Sequence, residues 1–176
     1  MEIQRKGIEN FTEELERRID KSVELFKEGF NCSQSVVASF ADLYGFNQEQ
    51  ALSMAASFGA GIGRMRQTCG AACGLFLLIG LDCGACTGSN REGKSYNYKM
   101  VQLMAEKFKE RNGCLICSEL LGLKKDSKIN PQAEARTDAY YKKRPCPNII
   151  RNAASLFAEY LKEYHPELFG NCHTEA

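Results

Sequence analysis

The chain has 176 residues, of which 44% are hydrophobic and 26% charged, and its 23 basic side chains nearly balance 22 acidic ones. This is an ordinary globular composition, and the chain is long enough to bury a substantial core. The balanced charge gives no electrostatic reason to expect nucleic acid or an anionic membrane as a partner. We therefore exclude both, and expect one domain over residues 1–176 with flexible ends at residues 1–6 and 170–176.

The hydrophobic pattern repeats at every third or fourth residue almost everywhere, which predicts helices and not strands. In chain order, the predicted helices cover about residues 8–26, 32–43, 48–55, 69–81, 96–112, 114–121 and 149–164. The polar stretch 124–147 contains three prolines, and we expect part of it, PQAEARTDAYYKK, to be helical as well. The sequence therefore predicts an all-α, single-domain bundle of about six or seven helices.

Several helix ends are marked by capping residues. Asn31, Asn47 and Thr68 stand directly before predicted helices, where their side chains can accept from free backbone amides. Gly29 and Gly45 follow predicted helices, at the position where a left-handed residue commonly ends them. We expect the segment after Thr68 to be the central helix of the bundle, because it is apolar on all sides.

Neither end of the sequence nor its most apolar run is typical of secretion or membrane insertion. The first twenty residues are charged throughout and contain no apolar stretch like that of a signal peptide. The longest apolar run, residues 71–81, is far shorter than the roughly 20 residues that a membrane-spanning helix needs. We expect a cytoplasmic protein with no membrane insertion.

The nine cysteines are the most unusual feature of the composition. In a reducing compartment, so many thiols favour metal ligation or thiol chemistry over structural disulfides. Both histidines, His165 and His173, lie near the end of the chain, so a Cys–His or Ser–His catalytic pair is not expected on the folded body. The cysteines occupy positions 32, 69, 73, 83, 86, 114, 117, 146 and 172.

Five of these cysteines lie at or near the start of a predicted helix: Cys32, Cys69, Cys114, Cys117 and Cys146. Free backbone amides and the helix dipole stabilise a thiolate at such positions and lower its pKa. A single cysteine there is more often a small buried residue. The repeated placement favours function, because a thiolate is both the nucleophile and the metal ligand.

Two C-x-x-C pairs, Cys83/Cys86 and Cys114/Cys117, allow two kinds of chemistry. Two such pairs are a usual ligand set for a structural zinc ion. A C-x-x-C pair is also a dithiol redox unit, but no βαβ pattern surrounds either one, so a thioredoxin-like fold is not supported. Neither pair is followed by histidine, which excludes c-type haem attachment.

The segment FGAGIGR, before the predicted central helix, is rich in glycine. It follows a helix and lacks the G-x-G-x-x-G spacing, so it is not a dinucleotide fingerprint. We expect it to bring the backbone close to the sulfur of Cys69 or to a cofactor, with Arg64 and Arg66 adding positive charge. The glycines for which we predict cofactor contact are Gly59, Gly61, Gly63 and Gly70.

Four cysteine-containing motifs occur in the order FNCSQSV, FGAGIGRMRQTCGAACG, GCLICSELLG and RPCPNIIRNAA. Together, and through the C-G-A-x-x-G signature at Cys69, they resemble the C_GCAxxG_C_C family of redox-active proteins. The resemblance implies that the family's four cysteines are Cys32, Cys69, Cys117 and Cys146. A related domain in a dimeric multihaem cytochrome implies an iron–sulfur cluster on these thiols, although the haem motifs of that relative are missing here.

Three interpretations remain open. In the first, Cys32, Cys69, Cys117 and Cys146 converge as catalytic or metal-binding thiolates, for electron transfer, thiol chemistry or ligation of an iron–sulfur cluster. In the second, the two C-x-x-C pairs bind a structural zinc ion. In the third, a metal-free dithiol oxidoreductase or sensor uses Cys69 as nucleophile and Cys73 or another thiol as resolving thiol. The expected partner is an electron-transfer protein or a small molecule, and the chain could also pair as a homodimer.

Overall fold

The structure, a computed structural model, describes residues 3, 4, 8, 10–124 and 129–169, and this part of the chain is all-α. Two of its helices have only about one turn each. The helices are α1 (Phe11–Lys27), α2 (Cys32–Val37), α3 (Gln48–Ala55), α4 (Gly70–Cys83), α5 (Arg91–Asn112), α6 (Cys117–Leu120), α7 (Asp138–Lys142) and α8 (Cys146–Tyr164). The predicted all-α bundle is confirmed, with these two short helices bringing the described number to eight.

Parts of the predicted flexible ends lie outside the described residues. Of residues 1–6 only Ile3 and Gln4 are described, and the backbone amide of Gln4 donates to the carbonyl of Leu43 at 2.7 Å. Residues 170–176, which include Cys172 and His173, lie outside entirely. None of the described helices combines the length and apolar character needed to cross a membrane.

The capping residues determine several helix boundaries as predicted. Asn31 and Asn47 each form a capping box, in which the side chain accepts from a first-turn amide and a glutamine side chain accepts from the cap's own amide. The second helix is shorter than predicted. It ends at Val37, and a separate 3₁₀ turn follows at Ala41–Tyr44. The Ser39 hydroxyl donates to the Ser35 carbonyl at 2.7 Å, a back-bond that weakens a helix at this point.

The apolar helix α4 lies at the centre of the bundle, as predicted, and packs against α2, α5 and α8. Its side chains Leu75, Leu78 and Ile79 are fully buried, each contributing about 1.5–3 kcal/mol of transfer free energy. Gly74 allows α2 to approach, because a Cβ there would lie 2.9 Å from the Cβ of Val36. The backbone of α4 is therefore held tightly between its neighbours.

The start of α4 differs by one residue from the prediction, since Cys69 and not Thr68 is the N-cap. Thr68 instead forms an isolated antiparallel bridge with Ile116. The amide of Cys69 donates to the Leu115 carbonyl at 2.7 Å, which belongs to the same pairing. This bridge fixes the start of α4 beside the start of α6.

The opposite end of α4 is held by a buried carboxylate, Asp82, whose side chain is 5% exposed. It accepts hydrogen bonds from the hydroxyls of Tyr44, at 3.0 Å, and Tyr160. The Nε2 of His165, after α8, lies 3.0 Å from the same carboxylate. Asp82 therefore connects α4 to the 3₁₀ turn after α2 and to the end of α8.

We expect Asp82→Ala to lower the free energy of unfolding by about 2–4 kcal/mol, because two tyrosine hydroxyls lose their acceptor. Urea unfolding followed by circular dichroism measures this loss. Asp20→Ala is the matched control, because Asp20 is exposed and pairs with Arg151 at the surface, where an ion pair contributes about 0–1 kcal/mol. Equal losses in the two variants would contradict the role assigned to Asp82.

Candidate functional site

The four cysteines that the resemblance singles out lie at the starts of four helices. Cys32, Cys117 and Cys146 are the first residues of α2, α6 and α8, and Cys69 is the N-cap of α4. Each of these thiols lies within electrostatic range of others in the set. The structure therefore brings together at one end of the bundle four cysteines that are widely spaced in sequence.

Cys32 and Cys146 have the strongest mutual influence in this group. Each thiol shifts the pKa of the other, and the two shifts have opposite directions. Both residues are partly exposed, whereas Cys69 and Cys117 are only 6% and 7% exposed. All four are free thiols. Cys32 and Cys146 are therefore the two members of the group whose residues have the larger contact with solvent.

The two members of this pair differ in acidity. The hydrogen bond from Cys32 lowers the pKa of Cys146 to about 7, with the positive charges of Arg144 and Arg136 adding to the effect against the opposing effect of burial. The same hydrogen bond, together with burial, raises the pKa of Cys32 well above its ordinary value. Near neutral pH, Cys146 therefore has substantial thiolate character while Cys32 keeps its proton.

The other buried thiols have raised pKa values. Burial raises the pKa of Cys69 to about 12, although the amides of Ala71 and Ala72 act in the opposite direction. Burial likewise raises the pKa of Cys117, despite a hydrogen bond from Arg66. The prediction that helix starts lower the pKa of Cys32, Cys69 and Cys117 is therefore wrong. At Cys69 and Cys117 loss of hydration outweighs the helix N-terminus, and at Cys32 the interaction with Cys146 raises the pKa, with burial adding to it.

Cys73, predicted as a partner for Cys69, lies one turn further along α4. Its thiol donates to the Thr68 carbonyl at 3.8 Å, and burial raises its pKa to about 11. It is 8% exposed and belongs to the core. Cys73 therefore packs as a small buried residue whose thiol proton is held by a backbone carbonyl.

The two C-x-x-C pairs lie at opposite ends of α4, which corrects the zinc interpretation. Cys83 ends α4, and its thiol donates to the Ile79 carbonyl at 3.3 Å. Cys114 and Cys117 lie beside the start of α4, with Cys114 before α6 and not in its first turn as predicted. The 14 residues of α4 span about 20 Å at a rise of about 1.5 Å per residue, so the pairs cannot share one ion.

The iron–sulfur interpretation requires the four family cysteines to be arranged around one metal centre. Four cysteine thiolates are the standard ligands of such clusters. Within residues 10–124 and 129–169, no three or more His, Cys, Asp or Glu side chains are arranged so that they could hold a metal ion. The arrangement therefore does not fit a shared metal centre, and we derive no chemical step through one.

The glycine-rich segment before α4 adopts an unusual backbone conformation. Residues 60–64 all have positive φ, between 54° and 75°, which forms a left-handed turn. Three of the five are not glycine, and each such residue costs about 1–2 kcal/mol in this conformation. Ile62, at φ 59°, is the most unusual because its side chain is β-branched. Strain of this kind persists where neighbouring structure holds it in place.

Three of the four glycines predicted to contact a cofactor, Gly59, Gly61 and Gly70, lie against protein atoms. A Cβ on Gly61 would lie 2.6 Å from the Cβ of Cys117, and one on Gly70 would lie 3.2 Å from that of Cys32. A Cβ on Gly59 would lie 2.3 Å from the side chain of Asn31. These three glycines therefore let the backbone approach the cysteine site. The cofactor contact predicted for Gly59, Gly61, Gly63 and Gly70 stays a prediction.

The family of the chain follows from a comparison with family models. The model described as "Putative redox-active protein (C_GCAxxG_C_C)" matches residues 30–160, about three quarters of the chain. The chain belongs to this family. A search of curated proteins and a search of solved structures each found no match. The family match includes Cys32, Cys69, Cys117 and Cys146, and it supports redox activity without naming a reaction.

The arginines around the family's cysteines were only partly anticipated. The prediction of positive charge from Arg64 and Arg66 concerned Cys69, whereas Arg66 acts on Cys117, where it opposes the increase in pKa caused by burial. Arg136 and Arg144, which lower the pKa of Cys146, come from a polar stretch with no clear periodicity. The placement of Arg144 two residues before Cys146, in RPC, was the available signal.

Proposed function

We propose that this member of the C_GCAxxG_C_C family is a thiol–disulfide redox protein, with Cys146 as the attacking thiolate and Cys32 as the resolving thiol. The observation that carries the proposal is the placement of two partly exposed cysteine residues at the starts of α2 and α8, where their thiols shift each other's pKa in opposite directions. Arg144 and Arg136 supply positive charge beside Cys146. A thiolate stabilised near neutral pH next to a protonated partner is the usual requirement for dithiol exchange.

The reaction transfers two electrons from the protein to a small disulfide. The Cys146 thiolate attacks one sulfur of the substrate, the substrate S–S bond breaks, and one substrate thiolate leaves and takes up a proton. Cys32 then gives up its proton and attacks the sulfur of Cys146 in the mixed disulfide. The second substrate thiolate leaves and is protonated, and a Cys32–Cys146 disulfide remains. An external dithiol reduces it by the same steps in reverse.

Cys69 and Cys117 have a positioning role in this proposal. Both are buried, and burial raises the pKa of each, so they remain protonated at neutral pH. Cys69 belongs to the bridge between the starts of α4 and α6. Cys117 lies directly against Gly61 of the left-handed turn. In this role, Cys69 and Cys117 keep the starts of α4 and α6 in place beside Cys32 and Cys146.

The pH dependence of alkylation tests the acidity on which the proposal depends. Because only the thiolate reacts, the rate at Cys146 is expected to rise as the pH increases through about 7 and then to level off. Cys69 is expected to stay unlabelled until the pH approaches about 12. Iodoacetamide labelling of the native protein, with each cysteine followed separately by mass spectrometry, measures both profiles.

The matched variants for this experiment are Arg144→Gln and Arg151→Gln. The first removes a positive charge beside Cys146. The midpoint of the pH profile for Cys146 labelling is therefore expected to move upward by roughly one pH unit, the size of shift that one nearby charge causes. The second changes an exposed arginine paired with Asp20 and is expected to leave the midpoint unchanged. A wild-type midpoint near that of an ordinary cysteine, about 8.5, would contradict the proposal.

A further inference from the structure

Three arginines converge on a single carboxylate beside the cysteine site. Arg144 donates to both oxygens of Glu134, at 2.9 and 2.7 Å. Arg64 donates to one of these oxygens at 3.2 Å, and the Nη2 of Arg66 lies 3.6 Å from it. Arg64 is the last residue of the left-handed turn and Arg66 follows it by two residues, whereas Arg144 precedes α8. The cluster therefore joins two segments of the chain through one acidic side chain.

The charges in this cluster are not balanced. Among the described residues, Glu134 is the only acidic side chain within 4.0 Å of these guanidinium groups. One negative charge thus faces three positive ones. The arginine side chains are 17–19% exposed and that of Glu134 is 43% exposed. The guanidinium groups form the inner layer, and Glu134 covers them from outside.

The segment that carries Glu134 is held mainly by side chains. In the described stretch 129–137, the backbone–backbone hydrogen bonds involve only Thr137, whose amide donates to the Ala135 carbonyl and whose carbonyl accepts from the Tyr141 amide. The other attachments include the ion pairs of Glu134, the bond from Arg64 to the Asn130 carbonyl at 2.7 Å, and Arg136, which donates to the Phe30 carbonyl and lies over the Phe26 ring. Glu134 itself takes part in none of the backbone–backbone hydrogen bonds of the described residues, so its carboxylate can turn away without breaking one. Glu134 is therefore positioned as a carboxylate that another anion can replace.

A cavity of about 490 Å³ lies directly beside this cluster. It reaches from the end of α6 to the start of α8, and its walls combine apolar side chains with cationic ones. Arg144, in its wall, also lowers the pKa of the nearby Cys146. The residues that define the cavity for this argument are Leu121, Leu123, Glu134, Tyr140, Lys143 and Arg144.

We propose that Arg64, Arg66 and Arg144 bind the carboxylate, or an equivalent oxyanion, of a small disulfide substrate lying in this cavity. Glu134 occupies the same place when no substrate is bound. This inference rests on the proposed function and adds the chemical class of the substrate, an anionic disulfide. Bidentate guanidinium–carboxylate pairs supply both the affinity and the orientation. The anion would hold the substrate S–S bond beside the thiolate of Cys146.

The experiment compares how disulfides of different charge oxidise the native, reduced protein at pH 7. The probes are dithiodiglycolate, with two carboxylates, hydroxyethyl disulfide, which is neutral, and cystamine, which is cationic. Each rate constant is divided by that of the same probe with the urea-unfolded chain, which removes differences in intrinsic reactivity. The normalised rate constant for dithiodiglycolate is expected to exceed that for hydroxyethyl disulfide by about tenfold, the scale of one hydrogen bond to a charged group. The rate constant for cystamine is expected to be the lowest of the three.

Two substitutions separate the anion site from its internal competitor. Glu134→Gln removes the competing charge. It is expected to raise the rate constant for oxidation by dithiodiglycolate about tenfold and to change the rate constant for hydroxyethyl disulfide by less than about twofold. Arg64→Gln removes a guanidinium group from the cluster and is expected to lower the preference for dithiodiglycolate about fivefold. The controls are Glu159→Gln and Arg151→Gln, which alter surface ion pairs elsewhere on the protein.

Failure of this inference is distinguishable from failure of the proposed function. If all three probes oxidise Cys32 and Cys146 with equal normalised rates, the anion site is refuted and the dithiol function stands. Binding of dithiodiglycolate to a Cys32→Ser/Cys146→Ser variant, measured by calorimetry, does not depend on any reaction. Tighter binding after Glu134→Gln supports the anion site even if the native thiols prove inert, and absence of binding overturns it.

Discussion

A Cys146→Ser variant is expected to lose the ability to form the disulfide of the cysteine site completely. Cys146 is the thiol whose pKa is lowered to about 7, whereas burial and the hydrogen bond to Cys146 raise the pKa of Cys32. After oxidation with hydroxyethyl disulfide at pH 7, the wild type should lose two thiols per chain at Cys32 and Cys146 with no added mass there. The variant should keep Cys32 as a free thiol. Thiol counting by position, with mass spectrometry, gives both results.

Two further variants show whether the order of events is right. Cys32→Ser is expected to stop at a mixed disulfide on Cys146, which adds the mass of half a probe molecule at that residue. Cys86→Ser is the control, because Cys86 is exposed and lies beyond the far end of α4. It should oxidise Cys32 and Cys146 as the wild type does. A mixed disulfide that accumulates on Cys32 instead would reverse the assigned roles.

The second large effect is expected at Gly61, where α6 meets the left-handed turn. Gly61→Ala places a Cβ 2.6 Å from the Cβ of Cys117 and 2.8 Å from the Cα of Arg66, in a residue with φ 75°. The left-handed conformation costs about 1–2 kcal/mol and overpacking about 1–3 kcal/mol. We therefore expect the free energy of unfolding to fall by about 2–5 kcal/mol, as measured by urea unfolding.

Gly80→Ala is the matched control for this substitution. Gly80 lies inside α4, and an added Cβ there meets no atom within 4 Å. Alanine favours a helix over glycine by about 0.8–1 kcal/mol, so this variant is expected to be more stable than the wild type. The two glycine-to-alanine changes should thus have opposite signs. If Gly61→Ala left the free energy of unfolding unchanged, the left-handed turn would not be held against α6.

Much of the fold could be predicted because it is encoded locally. Asn31 and Asn47 have the side chains that accept from first-turn amides, and Gly45 ends the 3₁₀ turn with φ 83°. The central position of α4 follows from its apolar character on every side. These features depend on residues close to one another in sequence, where spacing alone carries the information.

The details of the cysteine site depend on contacts between distant segments and could not be predicted in the same way. The approach of Cys32 to Cys146 requires the starts of α2 and α8 to meet, which no local pattern describes. Helix position alone suggested lowered pKa values for Cys69 and Cys117, but burial raises both. The left-handed turn is equally hidden, because Ile62 is a residue that ordinarily avoids positive φ.

The arginine cluster illustrates a further limit of the sequence. Glu134 lies in a polar stretch with no periodicity, and its partners Arg64 and Arg66 are far away along the chain. Only the folded chain shows that the three arginines share one carboxylate beside a cavity. Charge balance over the whole sequence therefore concealed a local excess of positive charge at the site.

Mapping the disulfide of the oxidised native protein tests the central claim most directly. The reduced protein is equilibrated with hydroxyethyl disulfide at pH 7, remaining thiols are blocked, and the proteolytic peptides are identified by mass spectrometry without reduction. We predict one cross-linked peptide pair, joining the peptide of Cys32 to that of Cys146. A cross-link between Cys69 and Cys73, or an oxidised protein in which Cys146 remains a free thiol, would contradict the account.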